Sequence, residues 1–134
     1  MSKPQKATPW EKAILEARPI LWRLAGSGQQ IACQELAEQI RAVKMPYRGK
    51  TFKRFLNDIC RFEFEVNPKA PMLTAVVYSK HRNLPGPGFF KLASERYGRS
   101  IPQAESSRFW REELRRLHEY AASRPIEQVI DMGG

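Results

Sequence analysis

Between Arg48 and Arg61 the chain reads Arg-Gly-Lys-Thr-Phe-Lys-Arg-Phe-Leu-Asn-Asp-Ile-Cys-Arg, and helical spacing sorts these residues by chemistry. Phe52, Phe55, Leu56 and Ile59 fall at i, i+3, i+4 and i+7, the stripe that seats a helix on a core. Lys50, Lys53, Arg54, Asn57 and Arg61 then point largely the other way. An apolar back with a front of Lys, Arg and Asn suits a major groove, because Arg and Lys reach phosphates or guanine edges and Asn pairs with adenine. The plainer reading is a solvated charged face on an amphipathic helix.

The rest of the chain bears on that choice. Its 134 residues suit one domain with a real core. A formal net charge of +9 favours a polyanionic partner and says nothing of fold. The excess is concentrated: Arg41, Lys44, Arg48, Lys50, Lys53, Arg54 and Arg61 face one acid, Asp58, within one short stretch. No apolar run approaches the roughly eighteen residues of a membrane span, so no membrane association is expected. The start Met1-Ser2-Lys3-Pro4-Gln5-Lys6 lacks the apolar stretch of a signal peptide, and a cytoplasmic location is expected. In that setting Cys33 and Cys60 are expected to be reduced and structural.

Thr8-Pro9-Trp10-Glu11 carries the capping-box spacing with Pro at the first helical position, so a helix is expected from Pro9. Pro19 should kink or restart it, and Gly26-Ser27-Gly28 should stop it. Gln29 to Ala32 suits a short edge strand. Leu36, Ala37, Ile40 and Val43 give a second helix ending before Pro46, and the basic-faced third helix runs to about Phe64. Met72 to Tyr78, rich in β-branched and apolar residues, reads as a buried strand. Ser79 to Gly88 reads as a turn with a basic tip at Lys80, His81 and Arg82, and Phe89-Phe90 returns to the core, which together make a wing. Helices follow over Phe90 to Tyr97 and Phe109 to Tyr120, the latter with a stripe of Trp110, Leu114, Leu117 and Ala121.

The expected class is mainly α with a small β-sheet (α+β). The expected division is a basic tail over 1–8, a domain over 9–100, a C-terminal helix over 101–123 packing on that domain or on a second subunit, and a tail over 124–134.

Gln34-Glu35-Leu36-Ala37-Glu38-Gln39-Ile40 followed by a basic helix resembles the second and third helices of winged helix-turn-helix DNA-binding domains. The likeness covers roughly residues 10–98. It implies that Lys50, Lys53, Arg54, Asn57 and Arg61 face the groove, while Lys80, His81 and Arg82 on the wing reach a phosphate or the minor groove. Cys33-Gln34-Glu35-Leu36-Ala37, with Arg54 on the next helix, also resembles the winged helix of DNA alkyltransferases. That family's Pro-Cys-His-Arg motif is missing: Pro71-Met72-Leu73-Thr74 stands at the matching point, so alkyl transfer is not implied. Leu73 to Phe90 is similar to helix-turn-helix modules of bacterial mobile-element and defence proteins.

Other chemistry has weaker footing. Cys33, Cys60, His81 and His118 are metal-ligand types without zinc-motif spacing. Gly86-Pro87-Gly88 is a turn and not a phosphate loop, because Pro87 removes an amide donor. Asp58, Glu63 and Glu65 do not make a nuclease set and are expected to be solvated charges. Phe62 and Phe64 lie beyond the core stripe, either covering the wing or forming a partner patch.

The expectation is a non-enzymatic protein that needs no cofactor or metal and binds nucleic acid, duplex DNA first. The basic helix over about 50–62 and the wing over about 79–88 would do this, through Arg48, Lys50, Lys53, Arg54, Asn57, Arg61, Lys80, His81 and Arg82. The alternative is a winged-helix interaction module for a protein or ribonucleoprotein, such as a phage or defence accessory factor or inhibitor. A homodimer through Trp110, Leu114 and Leu117 fits a regulator acting on paired half-sites.

Overall fold

A computed structural model describes residues 7–124, so most of the basic tail over 1–8 and residues 125–134 of the second tail lie outside the described residues. Along the chain run α1 (Pro9–Ser27), β1 (Ile31–Ala32), α2 (Cys33–Gln39), α3 (Gly49–Val66), a 3₁₀ turn (Leu73–Val76), β2 (Val77–Tyr78), α4 (Pro87–Tyr97), a second 3₁₀ turn (Gln103–Glu105) and α5 (Ser106–Ala122). The described residues are mainly helical, with one small sheet in which β1 and β2 pair in parallel, Ile31 with Val77 and Ala32 with Tyr78.

α1 begins as its sequence requires. Thr8 Oγ1 accepts from the Glu11 amide at 3.1 Å, Glu11 reaches back to the Thr8 amide, and Pro9 occupies the first turn. Gly28, at φ 71°, ends it in the left-handed conformation. Pro19 does not interrupt the helix as expected. A proline there deprives the Leu15 carbonyl of its partner, and Leu15 lies on the exposed flank, where water can replace the bond.

α2 is shorter than its periodicity predicts, stopping at Gln39. Glu16 of α1 supplies the reason: its carboxylate accepts from the amides of Arg41, at 3.1 Å, and Ala42, at 2.7 Å, which fixes residues 40–42 outside a helix. α3 buries Phe52, Phe55 and Ile59 as expected, with Leu56 half-buried. Each large apolar side chain so buried contributes about 1.5–3 kcal/mol.

The strand expected over 72–78 is confined to Val77–Tyr78, and Leu73–Val76 forms a buried 3₁₀ turn among α1, α3 and α5. Among the described residues no neighbouring strand lies there to pair with, and side chains satisfy part of the backbone. Glu113 Oε2 accepts from the Met72 amide at 2.9 Å, while Trp110 Nε1 donates to the Ala75 carbonyl at 2.7 Å. The expected wing is reduced likewise. Ser79 and Leu84 form an isolated antiparallel bridge, and Phe89-Phe90 belongs to α4, which starts at Pro87.

α5 lies along α1 and the first 3₁₀ turn. Leu117 and Ala121 are buried there, together with Phe109 and Glu113, while Trp110 and Leu114 are half-buried. The stripe proposed for a second subunit is therefore used largely inside the chain: Leu117 is 0% exposed.

Glu63 is not a solvated charge. At 2% exposure it accepts from Arg18 through both carboxylate oxygens, with Arg18 Nη2 at 3.1 Å, and from Trp22 Nε1 at 3.0 Å. Phe62 and Phe64 become platforms for cations: the guanidinium of Arg18 lies 4.8 Å from the Phe62 ring centre and that of Arg96 3.8 Å from the Phe64 ring.

Candidate nucleic-acid interface

The basic face of α3 is on the surface, as its periodicity demands once Phe52, Phe55 and Ile59 are inside. Lys50, Lys53, Arg54 and Arg61 are exposed. Asn57 is half-buried and lies beneath the start of α4, where Gly88 passes so close that a Cβ on it would be 3.7 Å from Asn57 Nδ2. Asn57 is thus less open to a nucleic acid than the helical pattern alone predicts.

Asp58 organises one flank of this face. Its carboxylate accepts from Trp10 Nε1 at 2.9 Å and from Arg61 Nη1 at 3.2 Å, and it lies 3.7 Å from Arg54 Nε. The Arg54 guanidinium also lies over the Trp10 ring at 5.3 Å. These contacts hold two arginines pointing out from the boundary between α1 and α3. Asp58 is thus not the solvated charge expected from the sequence, where nothing links it to the distant Trp10.

The turn after β2 supplies the other cations. Ser79 closes it, its amide donating to the Leu84 carbonyl at 2.9 Å and its carbonyl accepting from the Asn83 amide at 2.7 Å. Asn83 adopts φ 55°, a left-handed conformation that asparagine tolerates better than most residues. Lys80, His81 and Arg82 are exposed at its tip. Lys80 Nζ is 3.9 Å from Glu35 Oε1, a pair too exposed to contribute much. Among the described residues Lys50, Lys53, His81 and Arg82 make no side-chain ion pair.

These parts meet. A groove of about 420 Å³ lies between the start of α2, the start of α3 and the 79–87 segment. Arg48, Lys53, Lys80, His81 and Arg82 line it, whereas Lys50, Arg54, Asn57 and Arg61 lie outside it. Its apolar wall includes Tyr47, Phe52 and Leu56, and Cys33 borders it. Cys33 is half-buried, and burial pushes its thiol above the ordinary value, against an activated nucleophile. The groove left no signal in the sequence, because its walls come from three separate segments joined by the β1–β2 pairing.

The residue types considered for a metal are scattered. Cys60 lies in the core with Sγ 3.0 Å from Thr74 Oγ1, and His118 Nδ1 lies 2.9 Å from the Ala25 carbonyl. Among the described residues no three His, Cys, Asp or Glu side chains are grouped to hold a metal ion, and no helix is long and apolar enough to cross a membrane. No family model matches the chain, and neither a curated protein nor a solved structure is significantly similar to it.

Proposed function

We propose that the chain is a non-enzymatic duplex-DNA-binding protein whose α2–α3 unit works as a winged helix-turn-helix with a shortened wing. The observation that carries this reading is that Arg48 and Lys53, at the start of α3, line one groove together with Lys80, His81 and Arg82 of the 79–84 turn, while Lys50, Arg54 and Arg61 are exposed along the same helix. Lys50, Lys53, Arg54 and Arg61 would enter a groove or flank it, and Lys80, His81 and Arg82 would lie along the backbone. Asp58 supports the reading, since it orients Arg54 and Arg61 outward without burying their charge.

Anisotropy of a fluorescent random-sequence duplex, titrated across a range of salt, tests it. The expected result is a log-log slope of about −0.9 for each phosphate contact, hence a steep loss of affinity with salt. No binding at low salt would overturn the reading. It would favour the interaction module for a protein or ribonucleoprotein.

A further inference from the structure

A protein that only tracks phosphates needs cations on a convex surface, and the α3 face supplies those. The groove beside it is a different object. Its volume of about 420 Å³ falls within the roughly 300–1,000 Å³ of clefts that hold small ligands. Its lining combines two chemistries. Leu56 and Tyr47 provide apolar surface, and the Arg48 guanidinium lies 5.0 Å from the Tyr47 ring centre, so that a planar cation and an aromatic ring stand together. Lys53, Lys80, His81 and Arg82 supply cations, and among the described residues no carboxylate lines the groove, Glu35 lying outside it with Oε1 3.9 Å from Lys80 Nζ. α3 also starts here, at Gly49, and its N-cap Arg48 makes no side-chain capping bond, so the amides of its first turn add positive potential.

Apolar lining with an aromatic ring, a planar cation and a cluster of ammonium and guanidinium groups together match a ligand with an aromatic ring at one end and a dianion at the other. We propose that the groove binds a nucleoside monophosphate. The base lies against Tyr47 and Leu56, and the phosphate sits among Lys53, Lys80 and Arg82. Stacking and charge then act on different parts of one ligand, which neither a bare phosphate nor a bare nucleoside can exploit. The phosphate engages Lys53, Lys80 and Arg82, which duplex would also use, so the ligand competes with duplex; this consequence, unlike the binding itself, rests on the duplex reading.

Calorimetric titration of the full chain with adenosine 5′-monophosphate, inorganic phosphate and adenosine, each separately, tests the proposal. The monophosphate should bind at least about tenfold tighter than either fragment. Equal affinity for phosphate would overturn it in favour of a plain anion site, and equal affinity for adenosine in favour of an apolar cleft. No heat at about 1 mM monophosphate would overturn it outright. Tyr47→Ala and Lys53→Gln should each weaken the monophosphate about tenfold. Both positions are exposed, so a thermal melt should show the fold retained. Arg111→Gln, on α5 outside the groove, removes the same charge and should leave affinity unchanged; an equal loss there would reduce the effect to net charge and overturn the site. Monophosphate binding without duplex binding would sink the DNA reading and leave the groove standing, and duplex binding without monophosphate binding would do the reverse.

Discussion

The two ends of α3 treat charge in opposite ways. Toward its start, Lys50, Lys53 and Arg54 are exposed, and the two lysines make no ion pair among the described residues. Toward its end, Glu63 is 2% exposed and bonded to Arg18 and Trp22 of α1. A buried carboxylate must be fully bonded or it destabilises the fold, whereas a solvated lysine costs almost nothing where it stands. The helix is therefore anchored at one end by charges that cannot be changed and free at the other to carry charges that can.

Substitutions in both halves test that division. Glu63→Ala leaves Arg18 buried without its carboxylate and should cost about 3–5 kcal/mol of stability in urea unfolding; a loss under about 1 kcal/mol would mean that water or rearrangement rescues Arg18, and the anchored end would lose its distinction. Glu113→Ala probes a similar carboxylate outside α3. It removes the acceptor of the Met72 amide, of Tyr97 Oη and of Arg116 Nη1. The expected loss is about 2–3 kcal/mol, with the melting transition still cooperative. Lys53→Glu with Arg54→Glu should do the opposite: duplex affinity falls at least about tenfold while stability stays within roughly 0.5 kcal/mol per site. A large stability loss in that variant would show that the two ends of α3 are not separate.

Alkaline pH sharpens the contrast through two groups of the packed regions, Cys60 and Tyr97. Burial pushes the Cys60 thiol from 9.0 up to about 11. Burial, then the bond to Glu113, raises Tyr97 from 10.0 to about 12. Both folded values lie above the unfolded ones, so the fold favours the neutral forms. That stability is complete below the unfolded values and is lost as pH rises, from 9.0 through about 11 for Cys60 and from 10.0 through about 12 for Tyr97. Urea midpoints at about pH 8 and about pH 10.5 should differ, and Cys60→Ala should narrow the gap.

The free end of α3 was legible from sequence because its signals are local. A stripe at helical spacing and a run of cations need only a few neighbouring residues to be recognised, as does the capping box that starts α1. Glu63 was misread because an acid carries no mark of its partner: it falls four residues after Ile59, on the core stripe, and Arg18 falls four after Ile14 on the core side of α1. Opposite charges on the inner faces of two amphipathic helices are the signal that was present and unused. The 72–78 segment was misread for a related reason. Its composition suits a strand, but Trp110 and Glu113 of α5 take the backbone bonds that a neighbouring strand would otherwise make. The groove could not be read at all, since it exists only where three distant segments close on one another.

The short pairing of Ile31 with Val77 and Ala32 with Tyr78 ties together both ends of the segment that holds α2 and α3. Closing so long a loop costs more chain entropy than forming a local helix, and a two-residue ladder is expected to open more readily than a helix of eighteen residues. The amides of β1 and β2 should accordingly exchange with deuterium sooner than those of Phe55 and Ile59 in the middle of α3. The pairing joins the start of α2 to the start of the 79–84 turn, so a molecule that fills the groove between them should slow exchange at those four residues as well.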